Sequence, residues 1–490
     1  MTCFSCNIVA VYVKARGADL APLFTNCTEM KAWLEYMKQI DFSDGKIANN
    51  ILQAAIPMLV AQMLTLLYSI VDRIYIGRIP GTGSLALGGI GLCFPVILTI
   101  TAFTNLFGLG GSPLCSIERG KGDFRKAQQI MNIAFYLLAA TSAVILLAGE
   151  ILASPLLTLF GATAGNLPIA LEYLRIYLLG TFFAMISTGM NPYINAQGFS
   201  RAGMVTVVIG ALSNIILDPV FIFVFGMGIR GAAVATVLSQ GLSALFVLRF
   251  LTGSQTELRL LAPSDVLGPD TREISAQIVS LGAAPFIMQF TNSLVSISCN
   301  SVLSAYGGEI YVSIMTVVSS VRQILDTPVL AITEGSSPVI SFNYGARRAD
   351  QIRKAIMIMS ASSIAYTAVT WALIEYRPAF FIGIFLSDPA FIEQAIPALH
   401  LYFFAFIFQA LQYSGQTVFK ALGKKKHAIF FSLFRKAVMV VPLTYLLPRL
   451  GFGALGVFIA EPISNFVGGT ACFTAMLLTV LPELRQFETR

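Results

Sequence analysis

A succession of long apolar runs governs what this 490-residue chain can fold into. A run of at least about 18 apolar residues can cross a bilayer as a helix. Such runs recur from about residue 46 almost to the C-terminus, separated by short loops. They predict helices near 47–77, 85–117, 126–150, 169–199, 204–225 and 230–251, and a second set near 274–306, 309–342, 350–375, 392–419, 427–447 and 453–481. Charged residues make up 12% of the chain, about half the fraction of an ordinary soluble domain. The expected fold class is therefore an all-α polytopic membrane protein of twelve transmembrane helices in two pseudo-symmetric six-helix lobes. Several runs exceed the length needed to cross, so those helices tilt or project into water.

The expected organisation has five parts: an N-terminal cytoplasmic extension (1–45), a first lobe (46–251), a cytoplasmic linker (252–273) holding Pro263, Gly268 and Pro269, a second lobe (274–481) and a short tail (482–490). The extension carries Lys14, Arg16, Asp19, Glu29, Lys31 and Glu35, and its apolar patch Ile8–Val13 is too short to span. It lacks the layout of a signal peptide. It reads as a true extension or as a product of start-site choice, since Met37-Lys38 would open the membrane domain naturally.

Basic residues set the topology. Arg119, Lys121, Arg125 and Lys126 follow the second helix; Arg347, Arg348, Arg353 and Lys354 follow the eighth; Lys420, Lys424, Lys425 and Lys426 follow the tenth. The opposite loops hold Arg78, Arg230, Arg377 and Arg449 singly. The positive-inside rule then places both termini in the cytoplasm. The net charge of +7 follows from these loops and calls for no nucleic acid.

The two halves are related. Pro57 stands fifteen residues before Asp72, and Pro285 fifteen before Asn300. Gly111-Ser112-Pro113, Ser116 and Gly120 match Ser336-Ser337-Pro338, Ser341 and Gly345, while Gly228, Gly231 and Ala235 match Gly453, Gly456 and Ala460. Six-helix halves in the same orientation are parallel repeats, which are typical of transporters.

Polar residues inside the runs locate the chemistry. A carboxylate at membrane depth costs roughly 2.5–3.5 kcal/mol, so Asp218 needs a partner, a proton, an ion or a wet cavity. Asn214 precedes it by four residues on the same helix face. Pro219 has no N–H and frees the carbonyl of Ile215. Counted from the outer helix ends at helical rise, Asp72 lies ~8 Å inside, Thr236 ~9 Å and Asp218 ~10 Å. Tyr68 and Asn214 fall one turn deeper. If these faces converge, two carboxyls in a poorly hydrated pocket cannot both ionise cheaply and titrate as a unit. Proton and sodium both remain open as the occupant. Pro57 frees the carbonyl of Gln53, so the first helix can bend there.

The second half departs from this pattern: Asn300 stands at the place of Asp72 and Val441 before Pro442 at the place of Asp218. Arg322 and Asp326, spaced i and i+4, are expected to pair. Arg435 and Lys436 lie close enough to a helix start to snorkel inward. Glu334 and Glu461 are the candidates for substrate contact.

Cys93, Cys115, Cys299 and Cys472 lie in apolar helices and read as core residues. Cys3 and Cys6 have the spacing of half a metal site, without the second pair or nearby histidine that a full site needs. With His400 and His427 the only histidines, no metal is expected.

At these residues the chain resembles the multidrug and toxic compound extrusion (MATE) transporters, in particular the DinF-like and MepA-like bacterial branch. The resemblance covers about residues 46 to 481. It is carried by Tyr68-Ser69-Ile70-Val71-Asp72-Arg73-Ile74-Tyr75-Ile76-Gly77, Asn195-Ala196-Gln197-Gly198, Asn214 to Pro219, and Asn343-Tyr344-Gly345-Ala346. It implies two six-helix lobes around a cavity and a first-lobe cation site at Tyr68, Asp72, Asn214, Asp218 and Thr236, with Asn191 a further match. It also implies that Pro57 is the helix-bending proline. Acids that some members use in the second lobe are not met; Gln409 and Gln412 stand in the tenth helix instead.

The expected function is a proton- or sodium-coupled antiporter of a bacterial plasma membrane. It would export amphipathic, often cationic, small molecules, with no cofactor beyond the coupling ion. Its partners would be small-molecule drugs or metabolites and the lipid bilayer, and six plus six helices make a complete monomer. A lipid-linked oligosaccharide flippase is the alternative, favoured if Arg322 and Arg435 line the cavity. An enzyme is disfavoured by the lack of a metal cluster, an activated nucleophile or a phosphate loop, and a channel by the lack of a filter or charged ring.

Overall fold

The computed structural model describes residues 39–80, 83–160, 162, 165–253, 256–266, 268–385 and 388–488. Residues 1–38 of the extension, with Cys3, Cys6, Cys27 and the Ile8–Val13 patch, lie outside the described residues. Among the described residues nine helices are long and apolar enough to cross a membrane, and eleven segments qualify when two bent pairs are joined. In chain order they are α1 (Ile47–Gly77), α2 (Gly83–Lys121), α3 (Phe124–Leu159), α4 (Leu167–Leu179 with Thr181–Ala196, bent by 55°), α5 (Ser200–Val224), α6 (Gly228–Thr252) and α7 (Thr271–Gly308). After α8 (residues 309–345) come α9 (Ala349–Tyr376), α10 (Pro389–Phe403 with Phe406–Ala421, bent by 42°), α11 (Lys425–Phe452) and α12 (Leu455–Phe487). The α8 limb carries Arg322, Asp326 and Glu334 and completes twelve among the described residues. It is a separate helix because Gly308 turns the chain at φ 69° and ψ −169°.

The faces of these helices identify their solvent. On α3, Ile130, Ala134, Leu138, Ser142, Gly149 and Ala153 are buried, while Val144, Leu147 and Ile151 on the other side are 64, 66 and 77% exposed. An exposed apolar stripe of this kind suits lipid, not water. The protein is a multi-span membrane protein.

Two of the predicted spans are broken. At Gly180 in α4, a Cβ would come within 2.6 Å of Val237 Cγ2, so the absent side chain lets α6 close on the bend. The proline positions also disturb the helical pitch. Val220–Val224, directly after Pro219, and Phe434–Val440, directly before Val441-Pro442, are π-helical. Proline removes an N–H from the ladder, and π turns absorb such defects.

The chain divides into two compact units. Unit 1 comprises residues up to Asp41, Val60–Cys115 and Asp123–Val279; unit 2 comprises Phe42–Leu59, Ser116–Gly122 and Ser280–Arg490. Helix α1 therefore passes from unit 2 to unit 1 two residues after Pro57. The duplication is visible as repeated packing. In unit 1 a Cβ on Gly231 would lie 2.7 Å from the Phe221 carbonyl carbon; in unit 2 a Cβ on Gly456 would lie 2.9 Å from that of Leu447.

The linker is not a free tether. Asn132 Nδ2 donates to the Arg259 carbonyl at 2.9 Å, and its Oδ1 accepts from Leu261 N at 2.8 Å. Gln197 Oε1 accepts from Leu258 N at 3.1 Å. Gln197 belongs to the Asn195-Ala196-Gln197-Gly198 motif, whose Gly198 adopts φ 89° and accepts from Ile40 N at 3.0 Å. That motif thus fastens α4 to the linker and to the segment before α1.

Candidate functional site

Helices α5 and α6 run close together because of Gly210: a Cβ there would lie 2.6 Å from Ser243 Oγ. One turn further along α5, Asn214 Nδ2 donates to Asp218 Oδ1 at 3.2 Å and reaches Thr236 Oγ1 of α6 at 3.5 Å. The Thr236 hydroxyl itself donates to the Ala232 carbonyl at 3.0 Å. Asp218 is fully buried. Asp72 of α1 faces it, the two carboxyl groups lying in hydrogen-bonding contact. Asp72 Oδ1 and Asp218 Oδ2 are buried and meet no N–H or O–H donor. Tyr68, one turn from Asp72, lies within electrostatic reach of it. Five of the predicted residues (Tyr68, Asp72, Asn214, Asp218 and Thr236) thus come together in unit 1.

Asn191 does not join them. Its Nδ2 donates to the Gly203 carbonyl at 2.8 Å, and its Oδ1 accepts from Asn195 Nδ2 at 3.1 Å. Gly203 is at the other end of α5, eleven residues from Asn214, or ~16 Å at helical rise. Asn191 has its partners in a helix corner.

Three residues that the sequence did not single out border this group. Tyr173 and Tyr177 of α4 are buried and stacked, with ring centroids 6.0 Å apart. Tyr173 lies within electrostatic reach of both Asp72 and Asp218, and Tyr177 within reach of Tyr68. Gln240 of α6 hydrogen-bonds Tyr177, and its own Oε1 is buried without a donor. The pocket is therefore rich in oxygen acceptors, which suits a proton or a small cation between the carboxyls.

Unit 2 holds a different assembly. Arg322 of α8 donates from Nε to Asp326 Oδ2 at 3.2 Å, from Nη1 to Tyr402 OH at 2.8 Å, and from Nη2 to Gln409 Oε1 at 3.0 Å. It also pairs with Glu461 of α12. Gln409 Nε2 donates to both Asp326 oxygens at 2.8 Å, and Tyr413 OH donates to Oδ2 at 3.2 Å. Arg435 Nη1 reaches Glu461 Oε1 at 3.0 Å and Asn465 Oδ1 at 2.7 Å. Lys436 Nζ reaches Glu461 Oε1 at 3.0 Å and Oε2 at 3.2 Å.

These contacts show the surroundings of the second-half charges. Arg435 and Lys436 do not snorkel to an interface; both are buried, because Glu461 supplies the counter-charge in place. Glu461 is committed to three cations and offers no free carboxylate to a cationic substrate. Arg322 and Asp326 pair at i and i+4 as expected. Glu334 is half-buried, with Lys420 of α10 in electrostatic reach.

The four cysteines in the helices, Cys93, Cys115, Cys299 and Cys472, are buried and unbridged. No group of three metal-ligating side chains occurs among the described residues.

The MatE family model matches residues 57–220 and 285–446, one block in each half of the chain. The multidrug export protein MepA of Staphylococcus aureus is 22% identical over 443 residues, covering 90% of this chain and 94% of that protein. MepA of Staphylococcus saprophyticus is 22% identical over 440 residues with the same coverage. Among solved structures, a MATE transporter in its bent conformation superposes with a TM-score of 0.85 at 24% identity, covering 92% of this chain and 100% of that one. A MATE family transporter in the outward-facing conformation gives 0.83 at 24% identity, with 89% and 96% covered. A superfamily transporter from Pyrococcus furiosus, described as having a binding pocket of reversed polarity, gives 0.82 at 23%, with 92% and 98% covered. With both halves matched and twelve helices in the fold of these transporters, the chain belongs to the MatE family, whose members are transporters and not enzymes.

Proposed function

We propose that this protein is a proton-coupled antiporter that exports amphipathic, often cationic, small molecules by alternating access. Its setting in this reading is a bacterial plasma membrane, with both termini cytoplasmic. One observation carries the proposal: Asp72 and Asp218 face each other carboxyl to carboxyl inside unit 1, with a buried, donor-free oxygen on each. Such a contact is attractive only when a positive charge lies between the two groups. A proton bridges two carboxyls in hydrogen-bonding contact; a sodium ion would have to part them and recruit further oxygens, from Thr236, Tyr68 or Gln240. The MepA relatives, named as multidrug export proteins, support export as the direction and drugs as cargo.

Protonation from outside would join Asp72 to Asp218, and deprotonation would drive the carboxylates apart. The two acids sit on α1 and α5, so that step acts on α1, in which Pro57 has already removed one backbone hydrogen bond. A MATE transporter has been solved in both bent and straight conformations, which supports a bend at Pro57 as the moving part here.

The flippase alternative calls for free basic side chains to hold a diphosphate headgroup. Arg322 is instead spent on Asp326, Glu461, Tyr402 and Gln409. The test is ethidium export from cells expressing wild type, Asp72→Asn or Asp218→Asn. Both variants are expected to fall to the background of empty cells while reaching the membrane in normal amounts. Wild-type export by both would reject the coupling role.

A further inference from the structure

The bend in α10 has no local cause. The helix turns by 42° between Phe403 and Phe406. Sharp bends ordinarily sit at proline, at glycine or serine, or at a π turn. The stretch Phe403-Phe404-Ala405-Phe406 holds none of these. Phe403 and Phe406 are buried, with ring centroids 5.1 Å apart. The bend is therefore held by what its two limbs touch.

The limbs have different partners. The inner limb carries Gln409 and Tyr413, which bind Asp326. The outer limb is joined to α8 by Tyr402, which accepts from Arg322. It is joined to α9 by His400, three residues before the bend, whose Nδ1 lies 2.5 Å from Glu375 Oε2. Both members of that pair are 32% exposed, and Glu375 is the second-last residue of α9. The pair is open to the medium at that end of the helix. Helix α9 starts beside Arg347 and Arg348, so Glu375 stands at the end opposite the basic loop.

A carboxylate only accepts hydrogen bonds. Nδ1 of His400 therefore carries a hydrogen in both charge states of the ring, and the proton that comes and goes is the one on Nε2. With that proton the contact is an ion pair, roughly twice as strong as a neutral hydrogen bond. Histidine is the side chain that changes charge between about pH 5 and 8. Other charged groups on the elements around the limb are engaged or apart. Arg322, Asp326 and Glu461 are bound within their own network. The Arg377 guanidinium lies over the Tyr376 ring at 5.2 Å. Asp388 caps the start of the limb through Ala390 N, and Glu393, two turns before His400, is exposed. The short helix Pro378–Gly383 has no ionisable side chain.

We propose that His400 and Glu375 form a pH-sensitive catch facing the outside of the cell. Acid fastens the outer limb of α10 to α9; neutral pH releases the limb to hinge at Phe404-Ala405. Tyr402 moves with the limb, and its ring covers the Arg322 guanidinium at 5.4 Å, so the catch acts on the surroundings of Arg322. That the pair faces outward rests on the topology proposed above; the pH dependence of the contact does not.

The test is double electron–electron resonance on the full-length protein in nanodiscs. The native cysteines are replaced, and spin labels are placed at Val369 of α9 and Gln394 of the outer limb, both exposed. One distance is expected at about pH 5.5. At about pH 8 a second, longer distance is expected, with at least about threefold its share at the lower pH. His400→Gln is expected to show the pH 8 pattern at both values. A wild-type distribution that does not change with pH, or a change that survives in His400→Gln, overturns the proposal. A second measurement keeps the native pair. His400 and His427 are the two histidines of the chain. His427→Phe, which retains a ring on Phe419, leaves His400 as the single histidine in nitrogen NMR once any affinity tag is removed. At about pH 8 its neutral ring is expected to carry the hydrogen on Nδ1; a hydrogen on Nε2 alone overturns the pairing. Neither measurement uses a substrate or an ion gradient. Failure of the catch leaves the antiporter reading standing, and a protein that exports no ethidium but shows both signatures loses the antiporter reading alone.

Discussion

Asp218 of α5 and Asp72 of α1 lie carboxyl against carboxyl, and Oδ2 of the first and Oδ1 of the second are buried oxygens that meet no donor from the protein. The other oxygen of Asp218 is already held by Asn214, itself placed by the close approach of α5 to α6 at Gly210. The pair is therefore oriented by its neighbours, with Arg73 in electrostatic reach of Asp72. That relationship separates residues that belong to the site from those that merely share its sequence signature.

Asn214 and Asn191 make the separation measurable. Asn214→Ala removes the donor to Asp218 Oδ1 and is expected to lower ethidium export at least several-fold with little change in melting temperature. Asn191→Ala breaks the bonds to Gly203 and Asn195. It is expected to cost about 1 kcal/mol of stability and to leave export per folded molecule intact. Parallel export and thermal-melting measurements on the two variants check this, and equal loss of export would place Asn191 in the site after all.

Glu461 holds three cations in unit 2. Glu461→Gln leaves them facing Asp326 alone, and breaking a buried ion pair from one side costs about 3–5 kcal/mol. The variant is expected to melt well below wild type in detergent, and Glu461→Gln combined with Lys436→Met to recover part of the loss. A Glu461→Gln protein as stable as wild type would mean that the network contributes nothing to the fold of unit 2.

Gly120 and Gly345 are counterparts in the two halves of the sequence, and in unit 2 they meet. A Cβ on Gly120 would lie 1.9 Å from the Phe342 carbonyl oxygen, and a Cβ on Gly345 the same 1.9 Å from that of Ile117. Backbone cannot yield as a side chain can, so Gly120→Ala and Gly345→Ala are each expected to destabilise by at least about 1–3 kcal/mol. Gly88→Ala is the control, since its Cβ would meet nothing within 4 Å. Yield and melting temperature of the three purified variants decide the matter.

The spans were legible because lipid selects for apolar length, and the duplication was legible because Gly and Pro mark the same turns twice. The first acid pair was legible from depth alone, since Asp72, Asp218 and Thr236 count to one level and the helices do bring them together. Depth carries no information about neighbours of the same apolar character. Tyr173 and Tyr177 look like any aromatic in a membrane helix, and only the packing of α4 brings Tyr173 within reach of the acids and Tyr177 within reach of Tyr68. The unit 2 network failed to show for the converse reason. Arg322 and Asp326 are local and were readable at i, i+4, but Glu461 meets Arg435 and Lys436 from another helix, and without that partner two cations near a helix start read as surface anchors. Asn191 followed from family resemblance, which fixes a position in the chain and not the direction of its amide.

The most direct measurement is ethidium accumulation in inside-out proteoliposomes under a pH gradient and, separately, a sodium gradient, for wild type, Asp72→Asn and Asp218→Asn. The account predicts that an acidic lumen drives wild-type accumulation, that the sodium gradient does not, and that both variants exchange ethidium downhill but accumulate none. Accumulation by Asp218→Asn at the wild-type level under the pH gradient would contradict it.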